Sequence, residues 1–344
     1  MKNIFNLNKH IVPKITNNAR ALHMNDRARL FTGTHCNYKC DFCYYKDQLT
    51  IKTDYNIILN RLIFLSRYVH EIELSGGESS IHKDWFKILA ECNLRFKHIS
   101  TLSNGSMFNS LEFTQKSKDY GLKEILFSIH GVGEIHDKIV GVKNAYKKII
   151  NAIDNAKQCG IIVRANCTVD DRFDGEEYAK LILDKKIKQI NLLPINSWED
   201  NISNINYSKI SIEIKKFIDY VTIHSKWNDY DIRVRYIPLC FMNGYERYVY
   251  GIYQHIFDQY DWNVLLFDND HKTSVDMSID NHYDISFKRR LESYIKPSKC
   301  LKCKYSIICD GIEPNNLKNN KLIPIIDNNN NVITDISIFI NKEQ

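Results

Sequence analysis

From Arg29 onward, short runs rich in β-branched residues alternate with longer stretches whose apolar positions recur every three or four residues. The short runs are Leu30–Gly33, Glu71–Ser75, His98–Leu102, Glu124–Ser128, Ile161–Val169 and Gln189–Leu193, and their composition predicts strands. The longer stretches Tyr55–Tyr68, Lys83–Cys92, Asn144–Gln158 and Glu176–Lys185 predict amphipathic helices. In the third of these, Ala145, Ile149, Ala152, Ile153 and Ala156 share one face, and Gly160 follows as a stop signal. Alternation of this kind predicts parallel βαβ units, and six of them fit an α/β fold, a partial (β/α)6 TIM-like barrel. In such barrels the site lies at the C-terminal ends of the strands.

Period-two alternation predicts which strand residues face the lumen. Leu126, Ser128 and His130 oppose Ile125, Phe127 and Ile129; Arg164, Asn166 and Thr168 oppose Val163, Ala165 and Cys167. The polar set points to the site and the apolar set to the helices. Asn104, in Ser103-Asn104-Gly105, ends the third strand. Beyond the six units, Ile210–Val221 reads as a helix with one apolar face. Arg233 and Arg235 then alternate with apolar residues, a basic face that meets either an anionic substrate or solvent. The aromatics of 245–262 line a pocket or form core, and the tail near 332–340 carries a last alternating run.

Composition changes this picture little. At 344 residues with 44% hydrophobic, the chain can bury a sizeable core. A net charge of +6 with both signs interspersed does not argue for nucleic acid. The polar, basic residues 1–28 read as a lead-in arm with no signal-peptide pattern, and no run approaches the roughly eighteen apolar residues of a spanning helix. A soluble cytoplasmic protein is expected, without a membrane partner. The ten cysteines, clustered in a long chain, point to metal or redox chemistry more than to disulfides. Cys92, Cys159 and Cys167 stand singly among apolar residues, as small core residues do. His136-Asp137 follows the fourth strand, where a catalytic pair or a helix cap is expected.

Cys36, Cys40 and Cys43 are spaced C-x3-C-x2-C just after the first strand, close enough to surround one soft metal centre. The alternative is a zinc knuckle, with His35 as its best fourth ligand. Further on, at the end of the second strand, stands Gly76-Gly77-Glu78: glycines that let backbone approach a ligand, and a carboxylate that can accept from a cationic amine. Together, triplet and Gly-Gly-Glu segment resemble the radical S-adenosylmethionine (radical SAM) superfamily. The resemblance implies that Cys36, Cys40 and Cys43 hold a [4Fe–4S] cluster whose free iron chelates S-adenosylmethionine. It implies that Gly76, Gly77 and Glu78 bind the methionine amino group. By position it carries cofactor contacts onto Asn104, Ser128 and Arg164, for which a turn or local backbone bond is the plainer reading.

The second cysteine set, Cys300-x2-Cys303-x5-Cys309, is similar to the Twitch and SPASM extensions that hold auxiliary iron–sulfur clusters. The full SPASM pattern wants a further cysteine where this chain has Glu313, and upstream cysteines of which Cys240 is the candidate. These four thiolates suffice for a second auxiliary [4Fe–4S] cluster, or alternatively for a zinc site. The expected organisation is an arm over 1–28, a radical SAM partial barrel over 29–225 and a small cysteine-rich iron–sulfur extension over 226–344. The resemblance implies an enzyme that reductively cleaves S-adenosylmethionine to a 5′-deoxyadenosyl radical and abstracts hydrogen from its substrate. An external one-electron donor such as flavodoxin or ferredoxin is the implied partner. A small anionic, sugar- or nucleotide-like substrate is expected because residues 1–28 leave no room for a leader-binding domain. Modification of a peptide or protein is the rival, and a zinc-binding interaction protein is the non-enzymatic one.

Overall fold

A computed structural model describes residues 4–5, 26–195, 205–226, 229–251, 264–266, 279–281, 294–329, 331–335 and 337–340. Its strands are β1 (Ile4–Phe5), β2 (Arg27–Phe31), β3 (Glu71–Ser75), β4 (His98–Ser103), β5 (Glu124–Ser128), β6 (Ile162–Val169), β7 (Gln189–Pro194), β8 (Asp231–Val234), β9 (Val264–Leu266), β10 (Ile279–Asn281) and β11 (Lys296–Pro297). Nine of them form one sheet in the order β10-β9-β2-β3-β4-β5-β6-β7-β8, parallel except where β10 runs against β9. The sheet ends at β10 and β8 and is not closed, as in a partial barrel. β1 and β11 pair separately and antiparallel.

The six expected strands are present as β2–β7. The parallel sheet does not stop at residue 225, however: β8 joins β7, and β9 joins β2 from the other side. β8 escapes a search for apolar strand faces because its alternation serves a polar lumen. Ile232 and Val234 are in the core, while Arg233 and Arg235, read as a possible solvated face, are buried. Helices close the outer surface. Those at Tyr55–Leu65, Leu111–Asp119, Gly175–Asp184 and Tyr207–His224 are each started by a side chain, Asp54, Ser110, Asp174 and Asn206, accepting a first-turn N–H. Asp137 likewise accepts from Asn144 N at 2.6 Å and Tyr146 N at 2.7 Å, capping the helix Ala145–Gln158. That helix lays Ile149, Ala152, Ile153 and Ala156 into the core with Ile125, Phe127, Val163, Ala165 and Cys167. Cys92 joins the same core and Cys159 packs at its edge. Cys303, Tyr305, Ile308 and Ile312 also belong to it, so the C-terminal cysteine segment is packed onto the barrel.

The lumen is polar from its floor. Arg27 meets Glu71 at 3.0 Å and Glu124 at 3.1 Å, and Arg164 meets Glu124 at 2.5 Å and Gln189 at 2.7 Å. His98 completes the cluster at 3.1 Å from Glu124. Burial alone would raise the Glu124 carboxyl, but His98, Arg164 and Arg27 override it and hold it well below the ordinary carboxylate range. This position corrects the role expected for Arg164. In register it lies beside Leu126, a pair below Ser128, and its guanidinium turns to the N-terminal end of the strands. An inward arginine needs an anion, and here Glu124 supplies it.

Of the expected aromatic stretch, Tyr245, Tyr248 and Tyr250 pack against the core, and 252–262 lies outside the described residues. Within the last alternating run, Ser337–Ile340 is a short helix. The arm expected over 1–28 lies mostly outside the described residues.

Candidate active site

The loop after β2 carries the cysteine triplet, and backbone bonds from three directions hold it. His35 N donates to Ile51 O at 2.8 Å and Cys36 N to Leu49 O at 3.0 Å; Lys39 N and Asp41 N donate to Val140 O and Ile139 O, both at 3.0 Å. The Gly-Gly-Glu segment after β3 lies directly on it. Gly77 N donates to Gly33 O at 3.0 Å and Glu78 N to His35 O at 2.8 Å. A Cβ on Gly76, at φ +135°, would stand 2.1 Å from Gly33 O, and one on Gly77 would stand 2.2 Å from His35 O. Contact between the two loops thus by itself requires glycine at both positions.

Glu78 is fully buried and braces a third loop. It accepts from Ser103 Oγ at 2.9 Å, from Asn104 N at 2.6 Å and from the Ser80 hydroxyl. Burial pushes its pKa up while the bonds from Ser80, Asn104 and Ser103 pull it down, burial being the larger. Asn104 in turn donates to Asn37 Oδ1 at 2.9 Å and reaches Cys36 Sγ at 3.8 Å. Gly76–Glu78 and Asn104 are therefore assembled around Cys36. Ser128 stands half-buried at the end of β5, level with Asn166.

The three thiols feel one another. Burial first, then the Glu78 and Cys43 charges, push Cys36 up to about 11; burial, then Cys36 and Cys43, push Cys40 up to about 12; burial raises Cys43. Three adjacent thiolates are unfavourable here without a positive charge among them, which a bound metal centre would supply. Cys36 Sγ already accepts the Tyr38 N–H at 3.4 Å, a bond that favours the thiolate. Three thiols on one short loop are a donor set that suits an iron–sulfur cluster or, with a fourth ligand, a zinc ion. His35, the best zinc candidate, packs its ring edge-on against His82 at 5.5 Å, with both ring nitrogens buried.

A further feature of the mouth was only half visible in the sequence. His130 lies under the cysteine loop, its ring 4.7 Å from that of Phe42. Thr168 N donates to His130 Nδ1 at 3.0 Å, which leaves the imidazole proton on Nε2. Behind it, stacked and fully buried, His136 accepts the His130 N–H at 3.1 Å. Burial lowers the pKa of both, that of His136 to about 4, so both rings are neutral at pH 7. His136 thus supports the His130 backbone, while the helix cap expected of this pair is supplied by Asp137.

The thiols of the second cysteine set lie within electrostatic reach of one another. Cys240 lies in the turn Leu239–Met242, Cys300 in the turn Ser298–Lys302, and the loop beyond carries Cys303 and Cys309. Burial, then Cys309 foremost among the other thiols, pushes Cys240 up to about 12 and Cys300 up to about 11. Gly311 N donates to Cys309 Sγ and Ile325 N to Cys303 Sγ, each at 3.4 Å. Cys240 is brought in through the core, where Tyr305 bonds to Glu246 and to Asn243 at 3.5 Å.

Residues 30–192 match the family described as the Radical SAM superfamily. They are a radical SAM domain. The chain is accordingly an enzyme, and the domain implies a [4Fe–4S] cluster and S-adenosylmethionine. A probable GTP 3′,8-cyclase of Saccharolobus islandicus (strain L.S.2.15 / Lassen #1) is 25% identical over 222 residues, 60% of this chain and 69% of that protein. One of Sulfolobus acidocaldarius is 28% identical over 135 residues, 38% of this chain and 42% of that protein. Among solved structures, Streptococcus suis SuiB bound to S-adenosylmethionine shares the fold at TM-score 0.56 and 15% identity, over 88% of this chain and 76% of its own. The enzyme anSMEcpe with bound AdoMet and Cp18Cys peptide shares it at TM-score 0.53 and 14% identity, over 87% and 92%. No described helix of the chain is long and apolar enough to cross a membrane.

Proposed function

We propose that this radical SAM enzyme abstracts hydrogen from a small anionic metabolite, sugar- or nucleotide-like. The observation that carries the reading is the lumen wall of β8. Ile232 and Val234 are in the core, so the alternating Arg233 and Arg235 face inward. Arg233 is held by Asp231 at 2.6 and 2.8 Å and lies over the Tyr250 ring at 4.8 Å. Arg235 is one step nearer the C-terminal end, and we assign it to the anionic group, which a guanidinium can take in two parallel bonds. The name GTP 3′,8-cyclase borne by the relatives supports the same class.

Cys36, Cys40 and Cys43 hold the cluster in this reading, with one iron left open to the cofactor. Gly76, Gly77 and Glu78 receive the cofactor's amino group, and Asn104 and Ser128 face the rest of it. Bound there, cluster and S-adenosylmethionine supply a 5′-deoxyadenosyl radical once an external one-electron donor is present. The chain's part is to position the substrate carbon and exclude water. Cys240, Cys300, Cys303 and Cys309 hold a second, fully ligated cluster. The test is anaerobic turnover of the reconstituted enzyme with ribose-deuterated GTP, other deuterated sugar phosphates and deuterated peptides, followed by mass analysis of 5′-deoxyadenosine. Deuterium from a phosphorylated substrate is expected, and its loss in Arg235→Ala. Label arriving from peptides alone would overturn the substrate class.

A further inference from the structure

A fifth polar group belongs to the C-terminal cysteine site, and nothing in the cysteine spacing marks it. Lys296, in β11, is 1% exposed, and its ammonium donates to Ser306 O at 2.5 Å. Its stem runs along Gly311, where a Cβ would stand 3.1 Å from Lys296 Cγ. The same Gly311 donates its N–H to Cys309 Sγ, and Ser306 lies between Cys303 and Cys309. The ammonium is therefore lodged under the loop that carries two of the four sulfurs. Neighbouring Ile295 pairs with Ile312 through two backbone bonds of 2.8 and 3.0 Å, which holds that strand against the loop.

A buried ammonium is unfavourable unless it meets negative charge, and the Ser306 carbonyl offers a dipole but no charge. The negative groups that act on it are the Cys309, Cys300 and Cys303 sulfurs and Asp310. With the thiols protonated the site holds a buried cation with one carboxylate nearby. With four thiolates around a cluster it holds a net anion, more so once reduced, and the cation has its partner. We propose that Lys296 is the charge-balancing residue of the second cluster, raising its reduction potential by favouring the more negative, reduced form. This rests on the reading of Cys240, Cys300, Cys303 and Cys309 as ligands of an iron–sulfur cluster.

The test uses the full chain with Cys36, Cys40 and Cys43 all replaced by Ala, so that the C-terminal centre stands alone. Iron, sulfide and midpoint potential, followed by electron paramagnetic resonance, are compared with and without Lys296→Met and Lys296→Arg. Equal loading is expected, with a more negative potential in the Met variant and recovery in the Arg variant. Metal-free Lys296→Met should be at least as stable as its parent, because it removes a buried charge. Loading by the Arg variant and not by the Met variant also supports the proposal, retention then reporting the charge. An unchanged potential at full loading overturns it, as does failure of both variants to load, which would mark the bond to Ser306 as the requirement. If the parent itself holds no iron and sulfide, the cluster reading falls, and this inference with it.

Discussion

At the scale of single residues, Glu78 and Cys240 carry the sharpest consequences. Glu78 ties Ser80, Ser103 and Asn104 together, yet burial makes its ionised form unfavourable. A carboxyl whose folded pKa is raised loses stability as pH rises through that pKa, so a cationic ammonium beside it would offset the cost. Gln in its place keeps an acceptor for the Asn104 N–H, and the two hydroxyls can rotate to accept from its amide. Glu78→Gln should therefore keep its iron but bind S-adenosylmethionine about 10- to 100-fold more weakly, a charge-assisted contact of about 1.5–3 kcal/mol. Equilibrium dialysis at fixed iron content checks this, and unchanged affinity would leave Glu78 as a brace alone. Cys240 is tested in the triple Cys36, Cys40 and Cys43 variant, which should retain about four irons and four sulfides per chain, those of one cubane cluster. Adding Cys240→Ala should make that cluster labile or convert it to a three-iron form visible by electron paramagnetic resonance. Zinc without sulfide in the triple variant would instead make the site structural.

At the scale of elements, the decisive contact is loop on loop. The segment after β3 can lie on the cysteine loop because Gly77 has no side chain. The atoms an alanine Cβ would strike, His35 O at 2.2 Å and Thr34 O at 2.3 Å, are backbone and cannot rotate away. Gly77→Ala should thus displace the cysteine loop at a cost of about 1–3 kcal/mol. The sheet should survive, with an unchanged far-ultraviolet circular dichroism spectrum, while reconstituted iron at the first site falls towards that of Cys36→Ala. Full iron loading in Gly77→Ala would show that the two loops are not coupled in this way.

At the scale of the whole molecule, the barrel floor sets the dependence of stability on acid. Glu124 balances Arg27 and Arg164, with all three side chains at 3–4% exposure. Glu124→Gln leaves two buried guanidinium groups short of an anion and should destabilise the fold by about 3–5 kcal/mol at pH 7. Because the folded pKa of Glu124 is depressed, its contribution is complete above the ordinary value of 4.5 and is lost as pH falls through the folded one. The gap between wild type and Glu124→Gln, measured by urea unfolding, should therefore narrow from pH 7 to pH 3. A gap independent of pH would assign the loss to packing.

Periodicity alone carried β2–β7, the outward packing of Ile125, Phe127, Val163, Ala165 and Cys167, and the helix faces, because burial on one side imposes a repeat of two or 3.6 on the chain. Local spacing likewise brings Cys36, Cys40 and Cys43 onto one loop, since neighbours within a loop need no long-range information. Tertiary structure alone decided three other matters. Arg164 turns to the barrel floor because Glu124 and Gln189, distant in sequence, stand there. Arg233 and Arg235 are buried because β8 adds to the sheet beside β7, whereas in the sequence an alternating basic face reads equally as solvated. Cys240 comes within electrostatic reach of Cys300, Cys303 and Cys309, and Lys296 lies against the loop that carries two of them, only because the C-terminal segment packs onto the barrel core. A one-dimensional pattern records which residues must be buried, but which buried groups become neighbours depends on how the elements close around them.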